Sequence, residues 1–192
     1  MIDLLRAARE YLYERALPTD GFLAYVRAHR LDLFRIEGFA GVAAATPIID
    51  CGNARFDFGD EHNEAVPGFI CEAFAADGET VIDLVAWPLD RPDQPMSMFG
   101  RVGLIGVAAA MNPATYIFDN PLVIERNPLD WLRSGCVGAA IVDPRVAAWE
   151  LIDCPGRIAG QDQAHARQLL ELAHSVIDGS RFVAPARNAR AA

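Results

Sequence analysis

Two runs of β-forming residues on either side of Asp77-Gly78 constrain the fold of this chain more than any other feature. Phe69–Ala75 and Thr80–Trp87 are rich in aromatic and β-branched residues, which favour strands. An Asp-Gly pair between such runs supplies the positive φ angles that a tight turn requires. The sequence therefore predicts an antiparallel hairpin that turns at Asp77-Gly78.

Shorter β-type segments come before this hairpin. Residues 42–51 and 54–58 have strand character, and Gly52-Asn53 between them is typical of a two-residue hairpin turn. Together with the later hairpin they predict a central antiparallel meander.

Helical patterns occupy both ends of the chain. Near the N-terminus, apolar residues recur at helical spacing up to Pro18, and Thr19 or Asp20 can cap a second helix. In the C-terminal third, strands alternate with helices that begin at Asn127-Pro128 and Asp143-Pro144, and a last helix covers 162–177. Such alternation predicts partly parallel strand pairing.

These patterns predict an α+β fold: an N-terminal helical pair, a central antiparallel β-meander and a C-terminal β-α-β-α unit joined to the sheet. We expect one globular domain over residues 1–179, because a chain of this size can bury a core of its own. Within it, 1–35 form the helical pair, 36–118 are mainly β, and 119–179 alternate between β and α. Residues 180–192 have no hydrophobic period and predict a disordered tail.

The net charge of −9 is concentrated in the middle of the sequence. Residues 37–93 carry two Arg against twelve Asp and Glu, a net charge of −10. Such a segment repels phosphate backbones, so nucleic acid is not expected to bind there. No apolar stretch is long enough to predict a membrane-spanning helix.

All seventeen basic residues are Arg, and the sequence contains no Lys. Codon bias in a GC-rich, bacterial-type genome accounts for this composition. Its chemical consequence is that Lys Schiff bases and Walker-type phosphate lysines are excluded. Pyridoxal enzymes, imine-forming aldolases and standard P-loop NTPases are therefore excluded as well.

The four cysteines are too far apart in sequence to form a C-x-x-C motif. They are residues 51, 71, 136 and 154, so neither a zinc knuckle nor a thioredoxin-like site is predicted. The N-terminus has no uninterrupted apolar region typical of a secretion signal. We expect a cytoplasmic protein with free thiols.

One candidate metal site is an acidic segment of eight residues. Its possible ligands are Asp57, Asp60, Glu61, His62 and Glu64. Carboxylates and an imidazole can hold a hard divalent cation. The spacing is not that of a calcium-binding loop, and a solvated surface loop explains the same residues.

A second candidate lies between Glu125 and Asp143, where the predicted order is strand, Glu, helix, Gly, strand, Asp. In outline this order resembles the Toprim domains of primases and topoisomerases. In that family a Glu and a pair of Asp bind magnesium for phosphoryl chemistry. The resemblance implies Glu125, Asp130 and Asp143 as catalytic residues and a divalent cation as cofactor.

The resemblance covers about twenty residues and departs from the family pattern at the ligands. Arg126 replaces the family's Gly, and Asp143-Pro144-Arg145 has one Asp where the family has two. Loss of a metal ligand is expected to abolish two-metal catalysis. Asn127 and Asp143 are equally explained as helix caps.

Other catalytic patterns are incomplete. Gly100, Gly103 and Gly106 lack the G-x-G start and the strand-to-helix context of a dinucleotide site, which favours a packing role and no bound cofactor. No Ser lies in a G-x-S-x-G motif.

We therefore predict a non-enzymatic binding or assembly protein that associates with itself or with a protein partner. Three tryptophans, at positions 87, 131 and 149, are expected to contribute to the interface. The alternative is a metal-dependent enzyme acting on a nucleotide or phosphate ester.

Overall fold

A computed structural model describes residues 2–16, 19–59 and 64–177. Its first helices are α1 (Ile2–Arg15), α2 (Asp20–His29) and α3 (Leu33–Ala40). The predicted helical pair corresponds to α1 and α2, and the Thr19 side chain caps α2 by accepting a hydrogen bond from the Phe22 N–H. The third helix was not predicted, because its exposed apolar residues obscure the helical period. The segment 36–118 is therefore less purely β than expected.

Five strands close into a barrel. They are β1 (Ala43–Gly52), β2 (Arg55–Phe58), β3 (Val66–Phe74), β4 (Val81–Pro88) and β5 (Met96–Ser97). Their order is β1-β2-β5-β4-β3, and β3 returns to pair with β1. The barrel closes where Arg55 of β2 pairs with Ser97 of β5 in parallel orientation.

The predicted hairpin is formed by β3 and β4, which pair antiparallel along most of their length. Gly78 has the positive φ that was predicted, at +74°, whereas Asp77 does not have a positive φ. The connection is wider than a two-residue turn, because the Ala75 N–H still donates to the Thr80 carbonyl. Asp77 fixes the loop by accepting hydrogen bonds from the backbone N–H groups of Glu79 and Thr80, both at 2.9 Å.

The turn between β1 and β2 lies one residue later than predicted. Gly52 pairs with Arg55, so Asn53 and Ala54 are the two central residues. Both have positive φ, at +54° and +56°. Positive φ at both central positions defines a type I′ turn, whose twist suits a hairpin.

The C-terminal strands form a second sheet. Its strands are β6 (Leu104–Ile105), β7 (Leu122–Glu125), β8 (Ala139–Ile141) and β9 (Ile158–Gly160), in the order β6-β8-β7-β9. The helices that connect or follow them are α4 (Val107–Met111), α5 (Pro128–Arg133), α6 (Pro144–Asp153) and α7 (Gln163–His174), with 3-10 turns over Pro113–Asp119. As predicted, pairing is partly parallel: β7 runs parallel to β8 and β9, whereas β6 is antiparallel to β8.

The two faces of the second sheet belong to different cores. Ala140 of β8 packs with α5 residues and with the outer face of the barrel, including Phe69 and Trp87. Its neighbour Ala139 packs instead with residues of α6 and α7. A third core fills the barrel and includes Leu12 of α1. The C-terminal unit therefore covers the barrel through a shared core, and the α+β class is confirmed.

Two of the three tryptophans expected at an interface lie in this shared core. Trp87 and Trp131 are 0% and 1% exposed, so the interface role predicted for them is wrong. The Trp87 indole N–H donates to the Tyr25 hydroxyl at 3.1 Å, and that of Trp131 donates to the Gly138 carbonyl at 3.2 Å. Only Trp149, on α6, has the exposure that an interface requires.

Candidate functional site

Parallel strands β7, β8 and β9 end at one edge of the second sheet, where two of the three candidate residues of the Toprim-like outline, Glu125 and Asp143, follow strand ends. Glu125 is the last residue of β7, and Asp143 follows β8. Helix α5 leaves β7 toward the barrel side, and α6 leaves β8 toward the opposite face. Such a divergence opens a crevice beyond the strand ends, the usual position of ligands in open α/β sheets. We call this region the carboxyl edge.

Glu125 is a nearly buried carboxylate whose observed partner is neutral. It accepts a hydrogen bond from the side-chain amide of Gln161, in the segment after β9. Burial raises the pKa of Glu125, the Gln161 hydrogen bond lowers it, and the nearby Asp130 charge raises it further, with a net increase. A carboxyl group whose pKa is raised by burial in a crevice is a feature of functional sites.

Asp143 is held by Arg145, two residues later. Its Oδ1 accepts hydrogen bonds from the Arg145 backbone N–H at 2.9 Å and from Nε at 3.2 Å, and its Oδ2 accepts one from the guanidinium at 3.0 Å. Burial alone would raise the pKa of Asp143, but these bonds and the charge of Arg55 lower it below its usual value. Asp143 is therefore an ionised helix cap with both carboxylate oxygens engaged.

Asp130 lies in the first turn of α5, beside the same edge. Its Oδ2 accepts a hydrogen bond from the Asn127 amide at 2.9 Å, and its Oδ1 accepts one from the Arg133 guanidinium at 3.2 Å. The edge thus gathers Glu125, Asp130 and Asp143, each with an intramolecular partner. A metal ion would have to compete with Arg145 for Asp143 and with Arg133 for Asp130.

Sequence reasoning missed the residues that β9 and α7 bring to this edge. Asp162 caps α7 by accepting a hydrogen bond from the His165 N–H at 2.8 Å, and it forms an ion pair with Arg126. His165 is buried, and its Nδ1 accepts a hydrogen bond from the Gln161 N–H at 3.2 Å, which places the proton of the neutral ring on Nε2. Burial and then the Arg126 charge lower the pKa of His165. The only signal in the sequence for this part of the edge was Asp162, a residue type that commonly caps the start of a helix.

A cavity of about 410 Å³ opens beside these residues. Arg126, His165 and Gln168 line it from the second sheet and α7, and Asp93 and Gln94 line it from the loop before β5. The buried imidazole of His165 is therefore part of the cavity wall, whereas Glu125, Asp130 and Asp143 do not line this cavity.

The acidic segment is described only at its ends. Asp57 lies on β2, where its Oδ1 is within 2.8 Å of the Phe58 N–H, and Glu64 precedes β3. Asp60, Glu61 and His62 lie outside the described residues. Within the ranges that are described, no group of three or more His, Cys, Asp or Glu side chains is arranged to hold a metal ion.

Glycines 103 and 106 pack closely, in line with the role predicted for them. A Cβ on Gly103 would lie 2.2 Å from the Ala147 N of α6, and one on Gly106 would lie 2.5 Å from the Gly138 carbonyl. Both glycines therefore allow α6 and β8 to approach β6.

Comparisons with known proteins give no relative. No protein-family model matches the chain, and neither a curated protein nor a solved structure matches it. None of the helices in the described ranges combines the length and apolar character needed to cross a lipid bilayer.

Proposed function

We propose that this protein is a non-enzymatic binding or assembly protein that self-associates through the surface around Phe118. The observation that carries the proposal is the combination of side-chain exposure and backbone conformation at Phe118. Phe118 is 94% exposed, and its backbone has a φ of +61°. A bulky residue seldom adopts this left-handed conformation.

Two free-energy costs coincide at Phe118. A left-handed non-glycine residue is strained by about 1–3 kcal/mol. Leaving a phenylalanine in water forgoes about 1.5–3 kcal/mol of burial. Both costs are offset if the side chain is buried against a partner, and strain of this kind is characteristic of binding sites.

The neighbours of Phe118 favour a second copy of the chain as that partner. Ile117 is also half-exposed, which extends the apolar surface. Asp119 is exposed, and exposed Arg157 donates a hydrogen bond to the Asp119 carbonyl at 2.6 Å. A surface with an apolar centre and both charges beside it is self-complementary across a two-fold axis, because each Arg157 can face the other copy's Asp119.

Sedimentation or light scattering of Phe118→Asn tests this proposal. Asn tolerates left-handed backbone, so the variant should fold at least as stably as the wild type while losing the apolar contact. We expect wild type to be oligomeric and the variant monomeric at the same concentration. Leu170→Gln, which removes an apolar side chain of α7 that is 55% exposed, is the matched control and should leave the oligomer intact. A monomeric wild type at high micromolar concentration overturns self-association.

Metal-dependent phosphoester chemistry is the second candidate function. The observation that favours it is the position of Glu125 and Asp143, which leave adjacent parallel strands at the carboxyl edge. Magnesium needs one or two carboxylates supported by surrounding residues, together with substrate phosphates. Arg145 forms an ion pair with the Asp143 carboxylate, and a metal ion would have to displace it. For this reason we rank this candidate second.

Titration calorimetry with magnesium, manganese and zinc separates the two candidates. The assembly proposal expects no binding tighter than millimolar. Micromolar manganese binding that Glu125→Ala abolishes would establish the enzyme candidate instead. If Asp60→Ala abolishes manganese binding instead, the acidic segment is the site. The control is Glu171→Ala, which changes an exposed residue of α7.

A reducing cytoplasmic location is also part of the proposal. All four cysteines lie in the described residues, and each is a free thiol. Free thiols persist in reducing compartments.

A further inference from the structure

A second cavity lies where the barrel meets the C-terminal unit. Its volume is about 240 Å³. Phe74 and Gly78, from the end of the β3–β4 hairpin, line it on the barrel side, with Phe39 of α3 beside them. Trp131 of α5 and Ala108 of α4 line it on the opposite side. Junctions between packed units are common positions for small-molecule sites.

Small residues create this space. A Cβ added to Gly38 would meet nothing within 4 Å, and one added to Gly78 would only reach ordinary contact with Ala108, at 3.5 Å. Aromatic rings at Phe39, Phe74 and Trp131 border the gap. Flat walls of this kind suit a planar ligand.

One fixed acceptor lies on the cavity wall. Glu72 is 3% exposed, and its carboxylate is held in place by the Arg9 guanidinium at 2.7 Å, the Tyr13 hydroxyl at 2.9 Å and the Val42 N–H at 3.0 Å. A carboxylate has about four acceptor positions, so another donor can still bind. Arg9 already balances the charge of Glu72, so a neutral donor is favoured over a cation, and the carboxylate repels an anion.

We propose that this cavity binds a small, uncharged, planar aromatic molecule that donates an N–H or O–H to Glu72. The size supports a bicyclic ligand, since an apolar cavity of about 150 Å³ accommodates benzene. Phe118 does not line this cavity, so the inference is independent of the proposed self-association.

Indole is the probe, because it is neutral and bicyclic and carries one N–H donor. Calorimetry should show saturable binding to the wild-type protein. Proton–nitrogen NMR should show a shift of the Trp131 indole N–H, whose ring lines the cavity. Indole-3-carboxylate, which adds a negative charge, should bind more weakly. Absence of saturable indole binding overturns the proposal.

Two variants that fill the cavity provide the specificity test. Ala108→Leu should weaken indole binding by about tenfold or more, because the added side chain takes the ligand's place. Gly38→Leu should do the same while favouring the α3 helix, so it remains informative if Ala108→Leu folds poorly. Ala164→Leu, on the exposed surface of α7, is the control and should bind like wild type. Unchanged affinity in both cavity variants places indole elsewhere and overturns the proposal.

Discussion

Arg101 donates one hydrogen bond to the Asp83 carboxylate and another to the backbone next to it. The Asp83 Oδ2 accepts from the Arg101 backbone N–H at 2.8 Å, and the Arg101 guanidinium donates to the carbonyl of Ile82, next to Asp83, at 3.3 Å. The Oδ1 of Asp83 accepts from the N–H groups of Leu84 and Phe99, at 2.8 and 2.9 Å. A fully buried carboxylate thus attaches the segment after β5 to the middle of β4.

Replacing Asp83 by Asn should therefore destabilise the protein strongly. One carboxylate oxygen becomes an NH2 group, so a backbone N–H loses its acceptor inside the core. A buried hydrogen bond to a charged group contributes about 1.5–3 kcal/mol, and an unsatisfied donor has a cost of similar size. Urea unfolding should show a loss of about 2–4 kcal/mol. Asp90→Asn, with the side chain 79% exposed, should change little, and equal stability of the two variants would contradict this role.

Gly78→Val tests the hairpin loop. A β-branched residue is strained at a φ of +74°, whereas space for its Cβ is sufficient, so the effect comes from the backbone. The expected loss of unfolding free energy is about 1–2 kcal/mol. Glu79→Val, at the next position, has the same new side chain without the positive φ and should be tolerated better. A Gly78→Val protein with the thermal midpoint of wild type would disprove the conformational requirement.

Glu150 makes stability depend on pH. Its Oε2 is buried, and within the described residues it has no hydrogen-bond partner of normal geometry. Burial raises the pKa of Glu150 more than the N–H groups of Leu104 and Gly103 lower it. The folded state therefore binds the proton more tightly than the unfolded state does, and this group's contribution to stability falls as pH rises from the unfolded pKa through the folded one.

Glu150→Gln should accordingly raise the thermal midpoint at neutral pH, because it removes a buried charge. The gain should shrink as pH falls and disappear once Glu150 is protonated in both states. Thermal melts from pH 4 to 8 measure this difference, with Glu171→Gln as the exposed control. A gain that does not vary with pH would show that ionisation of Glu150 is not its cause.

Three of the four thiols, those of Cys51, Cys71 and Cys136, should react in two stages. Cys51 is exposed and should react readily with a thiol reagent in the native protein. Cys71 and Cys136 are buried, and burial raises the pKa of Cys71 strongly and that of Cys136 to about 12, so few thiolates form. Both should react only on unfolding. Mass spectrometry that counts the modified thiols with and without denaturant will check this. Rapid modification of Cys136 in the native protein would contradict this prediction and would show that the chain around Cys136 unfolds locally.

Local signals in the sequence were sufficient for much of the fold. Gly78 marked the hairpin because its positive φ is a property of the turn itself, and Asn127 and Asp143 marked helices because capping involves only the next few residues. Barrel closure was not predictable, since the pairing of Arg55 with Ser97 joins distant segments through few residues.

The candidate site was predictable only where the chain is contiguous. Glu125 and Asp143 belong to one β-α-β segment, so their common edge follows from the strand order. Gln161 and His165 reach that edge because β9 pairs with β7, not β8, and a sequence pattern does not specify which neighbour a short strand takes. The cavity beside Ala108 depends on how the two units pack and has no local signal.

The closure between β2 and β5 determines whether the barrel has sheet edges. The seam is the Arg55–Ser97 pair, which includes a backbone hydrogen bond from the Ser97 N–H to the Ala54 carbonyl at 2.9 Å. Local opening there would leave the other strand pairs intact and expose unpaired backbone groups on two edge strands, which another chain can extend. The resistance of the barrel to strand addition therefore depends on this short seam and on the burial of Phe56 and Met96 behind it.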